Sequence, residues 1–172
     1  WDQRTAERVD YFVANSRHVA QRILRHYRRR ATVIHPPVDT RRFSPAAEVG
    51  DYYLVVSALV PYKRVELAVE ACSHTGRRLK VVGKGPELER LKALAGPTVE
   101  FLGWQPDEAL PGLYARAKAL IFPGEEDFGI TPLEAMASGR PVAALARGGA
   151  LETVVGLDDP RAGVIANDII AP

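Results

Sequence analysis

At 172 residues, 47% of them hydrophobic and 26% charged, the chain can bury one substantial core, which excludes a disordered or fibrous polypeptide. A single cysteine, Cys72, excludes a disulfide framework and thiolate metal sites; among apolar neighbours it fits a packing role in a reducing compartment. The net charge of +2 is uneven: residues 1–45 hold ten arginines against four acids, residues 46–172 hold 13 basic against 17 acidic residues, and the two stretches read as separate pieces.

No apolar run approaches the ~20 residues of a membrane-crossing helix, and the first residues carry no secretory pattern, so a soluble, cytoplasmic chain is expected. Residues 9–14 read as a strand, and residues 16–30 as a helix with Val19, Ile23 and Tyr27 on one face and arginines over much of the rest. A solvated surface explains that face, and peripheral contact with an anionic membrane stays open; the lack of interleaved aromatics argues against nucleic acid. Pro36-Pro37 forbids helix and makes residues 31–39 an extended connector, with a domain boundary near residue 45.

Beyond the boundary, short runs of branched residues alternate with helical patterns, the signature of an α/β fold with a Rossmann-like parallel sheet flanked by helices. Strands are expected at residues 53–57, 79–82, 99–102, 120–122, 142–145 and 163–166. Helices are expected at residues 65–73, 87–94, 107–117, 132–137 and 150–155, with Gly76, Gly96 and Gly139 as stops.

In such a sheet, ligands gather at the loops leaving the carboxyl ends of the strands. The first loop holds Pro61-Tyr62-Lys63-Arg64, two cations just ahead of a helix start, where the dipole disfavours them unless an anion sits between. As plain surface cations they need no ligand. In the second loop, Gly83 and Gly85 flank Lys84 and let a ligand approach the backbone closely. In the third, Trp104 and Gln105 offer an aromatic face and an amide to a nucleobase, and Asp107 is equally an N-cap.

The fourth loop, Glu125-Glu126-Asp127-Phe128-Gly129-Ile130-Thr131-Pro132-Leu133-Glu134, places one carboxylate on a loop and a second in the first turn of a helix. The helix start suits a diphosphate, and the carboxylates suit neutral hydroxyls. A capping box of Thr131, Pro132 and Glu134 is the competing reading. It leaves the three acids and the Phe128-Gly129 turn needing a ligand or solvent. The fifth loop is Arg147-Gly148-Gly149-Ala150-Leu151-Glu152. No Asp-x-Asp or clustered histidines suggest a metal, and Asp158-Asp159 reads as a solvated turn.

In order, Pro61-Tyr62-Lys63-Arg64, Gly83-Lys84-Gly85-Pro86, Phe101-Leu102-Gly103, Glu126 through Glu134-Ala135-Met136-Ala137-Ser138-Gly139-Arg140-Pro141-Val142, and Gly148-Gly149 with Glu152 resemble the nucleotide-sugar-binding half of retaining GT-B glycosyltransferases of group 1, mannosyltransferases above all. The resemblance covers nearly the whole chain from about residue 9. It implies a nucleoside diphosphate sugar as donor, GDP-mannose favoured, with no cofactor and no metal. Glu134 would hold the ribose hydroxyls, Glu126 the donor sugar, and the backbone at Gly129, Ile130 and Thr131, after Phe128, the diphosphate or sugar. Lys63 would neutralise the leaving diphosphate, with Arg64 beside it; Lys63 and Glu126 are the catalytic candidates, expected to converge with Glu134 on one hollow. Ala58 departs from the family's usual arginine.

The same resemblance implies that residues 1–45 end an N-terminal acceptor domain and that residues 46–172 are a donor domain truncated at its end. The piece would be inactive alone, its parent meeting a glycan or lipid-linked acceptor, in the cytoplasm or peripherally at the inner membrane face. A non-catalytic nucleotide-sugar-binding module and an epimerase-like or phosphorylase-like GT-B enzyme are the alternatives. A dinucleotide-binding oxidoreductase, suggested by Gly83-Lys84-Gly85, fails because Leu88 stands where the third glycine belongs.

Overall fold

Leu54 and Val55 are neighbours in sequence and both fully buried, which a strand permits only when its sheet is covered on both faces. The computed structural model describes residues 2–156 and shows that sheet. The elements run α1 (Asp2–Ala6), β1 (Phe12–Ala14), α2 (Arg17–Tyr27), β2 (Ala31–Val33), β3 (Tyr53–Val56), α3 (Val65–Thr75), β4 (Leu79–Val82), α4 (Leu88–Leu94), β5 (Val99–Gly103), α5 (Leu110–Arg116), β6 (Leu120–Phe122), α6 (Ile130–Ala137), β7 (Val142–Ala144) and α7 (Ala150–Thr153). Five strands pair in parallel in the order β5-β4-β3-β6-β7. This is the α/β architecture the sequence implies.

Alternation along the strands divides the core. Val55, Leu79 and Val81 face α3 and α4, packing with Val65, Val69, Cys72 and Leu91. Leu54, Val82, Leu120 and Phe122 face the other way, with Tyr114 of α5, Ala135 of α6 and Ala150 of α7. Cys72 is buried and unpaired, its thiol pushed up by burial, as a packing residue requires. Phe43, 4% exposed, enters the second cluster from the connector and meets the Tyr114 ring edge-on at 5.7 Å.

Several expectations shift. The connector begins as a strand, β2, paired in parallel with β1 through Phe12↔Ala31 and Ala14↔Val33; Thr32 and Val33 suit a ladder, and the prolines end it. Helix α1 has no counterpart in the sequence reading. Helix α5 starts at Leu110 with Ala109 as N-cap, so Asp107 caps nothing and its carboxylate stands 3.5 Å from Arg42 Nη1. Gly76 (φ +66°) and Gly139 (φ +71°) follow their helices as expected, but Gly96 does not stop α4, which ends at Ala95 in extended conformation. Gly96 instead lies against Ser73, its N–H donating to Ser73 Oγ at 2.8 Å. The expected strand at 163–166 and Asp158-Asp159 lie outside the described residues. Among the described residues no helix is long and apolar enough to cross a membrane.

The chain leaves β3 towards β4 and β5 on one side, then returns so that β6 and β7 lie on the other. The strand order therefore reverses between β3 and β6, and a crevice opens outside their carboxyl ends.

Candidate functional site

Lys63 and Glu126 come from the two loops that flank this reversal. After β3, Pro61 fixes the start of a single 3₁₀ turn, Pro61–Lys63, which Arg64 closes in a left-handed conformation (φ 52°). The β6 loop presses on that turn at Gly124, where a Cβ would lie 2.9 Å from Lys63 Cα, so only glycine fits. The Lys63 ammonium ion-pairs with the Glu126 carboxylate, both side chains being less than one-fifth exposed. Burial pulls the Lys63 ammonium below its ordinary pKa, and the charge of Asp127 partly opposes this.

Each of the three consecutive acids has a basic side chain beside it. Asp127 pairs with Arg22 Nη1 at 2.5 Å, Glu125 lies 3.8 Å from His18 Nε2, and Glu126 holds Lys63. Two of these partners, His18 and Arg22, belong to α2, whose basic face therefore meets the acid loop. A cavity of about 560 Å³ opens between His18, Arg22 and Arg25 on one side and Tyr62 with the acids on the other. Neither Lys63 nor Glu134 lines it, so the hollow expected to unite Lys63, Glu126 and Glu134 is not this cavity.

Glu134 does not close a capping box. Helix α6 begins at Ile130, Gly129 is its N-cap (φ 83°, ψ 92°), and no side chain caps it, so Thr131 and Glu134 both lie inside the helix. The Phe128 ring sets this start: it is 4% exposed and stacked on His35 at 5.5 Å, which leaves it for packing rather than for a ligand. The first N–H groups of α6, at Ile130 and Thr131, lack intrahelical acceptors by helix geometry. Glu134 Oε2 accepts a hydrogen bond from Tyr114 Oη at 2.7 Å. Tyr114 is wholly buried, and burial together with the Glu134 charge drives its pKa upward, keeping the phenol a donor. The sequence reading missed Tyr114. Its signal was a tyrosine on the apolar face of a helix, with Leu110 and Ala117, where a buried hydroxyl needs a partner.

The remaining expected positions divide. A Cβ on Gly83 (φ +136°) would lie 1.8 Å from Ser57 O, and one on Gly85 2.3 Å from Leu59 O. On the Cβ side both glycines meet the β3 loop, which accounts for glycine at these two positions without a ligand. Trp104 is 64% exposed and presents an open ring, while the Gln105 amide donates to Leu102 O at 2.7 Å. Arg64 is exposed, 3.7 Å from Glu66. Glu152 is taken up by the protein itself: its carboxylate accepts from Arg17 N (2.9 Å) and His18 N (3.0 Å) and meets His35 Nε2 at 3.1 Å. Burial pushes its pKa up, but these hydrogen bonds and the His35 charge win and hold it below the ordinary range.

The model of the family described as glycosyl transferases group 1 matches residues 39–167. A GDP-mannose-dependent alpha-(1-6)-phosphatidylinositol monomannoside mannosyltransferase of Mycolicibacterium smegmatis is 35% identical over 162 residues, covering 77% of this chain and 42% of that protein. A D-inositol 3-phosphate glycosyltransferase of Salinispora arenicola is 30% identical over 193 residues, covering 89% and 43%. The chain thus spans about two fifths of the length of these relatives. The solved sucrose-phosphate synthase of Thermosynechococcus elongatus superposes with a TM-score of 0.79 at 26% identity, covering 90% of this chain and 45% of that one. Anabaena HepE, solved in complex with UDP, shares the fold at a TM-score of 0.75 and 22% identity, covering 86% and 48%. The matched range takes in the connector's end and the loops on both sides of the crevice between β3 and β6, and the chain belongs to the glycosyl transferases group 1 family, with the sheet of a GT-B glycosyltransferase.

Proposed function

We propose that the protein carrying this chain transfers a hexose, mannose favoured, from a nucleoside diphosphate sugar to a hydroxyl of a glycan or lipid-linked acceptor, with retention at the anomeric carbon. In this reading residues 46–172 bind the donor, and residues 1–45 end the acceptor side. The observation that carries it is the contact of Lys63 with Glu126 at the strand-order reversal, beside an α6 start that no side chain caps. Without donor, Glu126 holds the ammonium. Donor hydroxyls would take over the Glu126 carboxylate and release Lys63 towards the diphosphate. An ammonium already disfavoured by burial gains most from such an anion.

In the transfer the bond from the anomeric carbon to the diphosphate breaks, and its electron pair leaves with the phosphate oxygen. The acceptor oxygen bonds to that carbon on the same face and loses its proton to the departing phosphate. Lys63 and the α6 amides meet the charge as it develops, and this scheme requires no metal. Glu134, oriented by Tyr114, would hold the ribose hydroxyls. The printed specificity of the mannosyltransferase relative supports GDP-mannose, and the UDP and UDP-glucose complexes of HepE support a nucleoside diphosphate sugar more generally.

Calorimetric titration of the full-length protein with GDP-mannose, UDP-glucose, GDP and UDP tests the donor reading; folded protein that binds none of them overturns it. Lys63→Ala should lower turnover by about 10²–10³-fold while donor affinity changes less. Undiminished turnover would remove Lys63 from the mechanism. Exposed Arg25 and Arg28 support a peripheral membrane contact near a lipid-linked acceptor, checked by salt-sensitive co-sedimentation with anionic vesicles.

A further inference from the structure

Helix α2 is capped twice. Ser16 Oγ accepts from Val19 N at 3.0 Å, the local cap that such a helix requires. The Arg17 and His18 amides are then taken by Glu152, 135 and 134 residues away in the chain. This second cap satisfies two further amide donors of the helix start. It joins the helix to something else.

What it joins is the acid loop. Glu152 sits on α7, a four-residue helix too short to hold its own position by internal hydrogen bonds. The segment before it is fixed on the acid loop instead: Gly149 N donates to Glu126 O at 2.8 Å, and a Cβ at Gly148 would lie 2.4 Å from that same oxygen. His35, from the segment after β2, reaches the Glu152 carboxylate while its ring stacks on Phe128 of the acid loop. The start of α2 and the segment after β2 therefore meet at one carboxylate, whose side chain is 11% exposed, on a helix whose leading glycines rest on the acid loop. The neighbouring links, Arg22 to Asp127 and His18 to Glu125, involve more exposed side chains and are weaker holds.

We infer that Glu152 is a latch and positioning residue: its carboxylate fastens the β1–α2–β2 layer to the acid loop and, through Gly148-Gly149, sets where the Glu126 backbone stands. The latch does not depend on the chemistry; only its effect on turnover rests on the functional reading above.

The test is amide hydrogen exchange on the full-length protein, wild type against Glu152→Ala and Glu152→Gln, with steady-state kinetics alongside. In Glu152→Ala, exchange should quicken by about tenfold at residues 17–19 and also at residues 125–129, with strand β4 unchanged. Glutamine keeps one acceptor oxygen and should fall between, and it decides the matter where alanine does not fold. In transfer assays kcat should drop while GDP affinity stays within about twofold, because Glu134 and Tyr114 are untouched. Faster exchange at 17–19 alone would make Glu152 a mere helix cap and overturn the latch, as would no change at either segment. Quickened exchange at both, in a protein that binds no nucleotide, would sink the donor reading and leave the latch standing.

Discussion

Tyr114→Phe isolates one hydrogen bond. The ring keeps its place, buried and edge-on to Phe43, so no cavity opens and packing is held constant. What is lost is the donor to Glu134 Oε2 at 2.7 Å. A hydrogen bond to a charged group contributes about 1.5–3 kcal/mol. Glu134 is only half-buried, so water replaces part of it, and about 1–2 kcal/mol is expected on stability. If Glu134 holds the ribose, freeing its rotamer should also weaken nucleotide binding about tenfold, the equivalent of about 1.4 kcal/mol. Urea denaturation reads the first effect, and calorimetry with GDP and UDP the second. Tyr52→Phe is the control: Tyr52 donates to Leu113 O at 2.8 Å, so its loss should affect stability but not nucleotide. Because the Tyr114 pKa is driven upward, the phenol remains a donor throughout the neutral range, and the effect should not vary with pH there. Unchanged affinity in a folded Tyr114→Phe would show that Glu134 needs no orienting partner, and the argument from Tyr114 to the ribose would fail.

Gly83→Ala should destabilise the fold by about 3 kcal/mol or more, since a Cβ would meet Ser57 O at 1.8 Å on a backbone of positive φ; a wild-type denaturation midpoint would contradict the packing of the two loops. The Glu152 carboxyl, faced by the Arg17 and His18 amides and by His35, has a folded pKa below its ordinary 4.5. Its stabilisation is therefore complete above pH 4.5 and lost as the pH falls through the lower folded value. The stability gap between wild type and Glu152→Gln, followed by denaturation at falling pH, should narrow below that point.

The strands were legible where both faces are buried. At residues 79–82, apolar but for Lys80, and at residues 120–122, apolar throughout, the expected bounds match β4 and β6. Residues 31–33 were not legible, because three residues before a proline pair carry no period, and only the presence of β1 makes them a strand. The glycines announced close approach without naming the partner: Ser57 O and Leu59 O occupy the space that sequence alone could equally assign to a ligand. The acid loop shows the same limit in electrostatic form. Its partner Arg22 lies 105 residues from Asp127, so the pairing appears in the sequence only as a basic first stretch and an acidic remainder. That pairing changes how the motif is weighed. With Glu125 and Asp127 facing α2, they no longer call for a ligand, whereas Glu126 and Glu134 are each held by one neighbour, Lys63 and Tyr114, and keep carboxylate oxygen for further bonds. The chemical weight of the loop thus narrows from four acids to two, separated by the seven residues that turn the chain into α6.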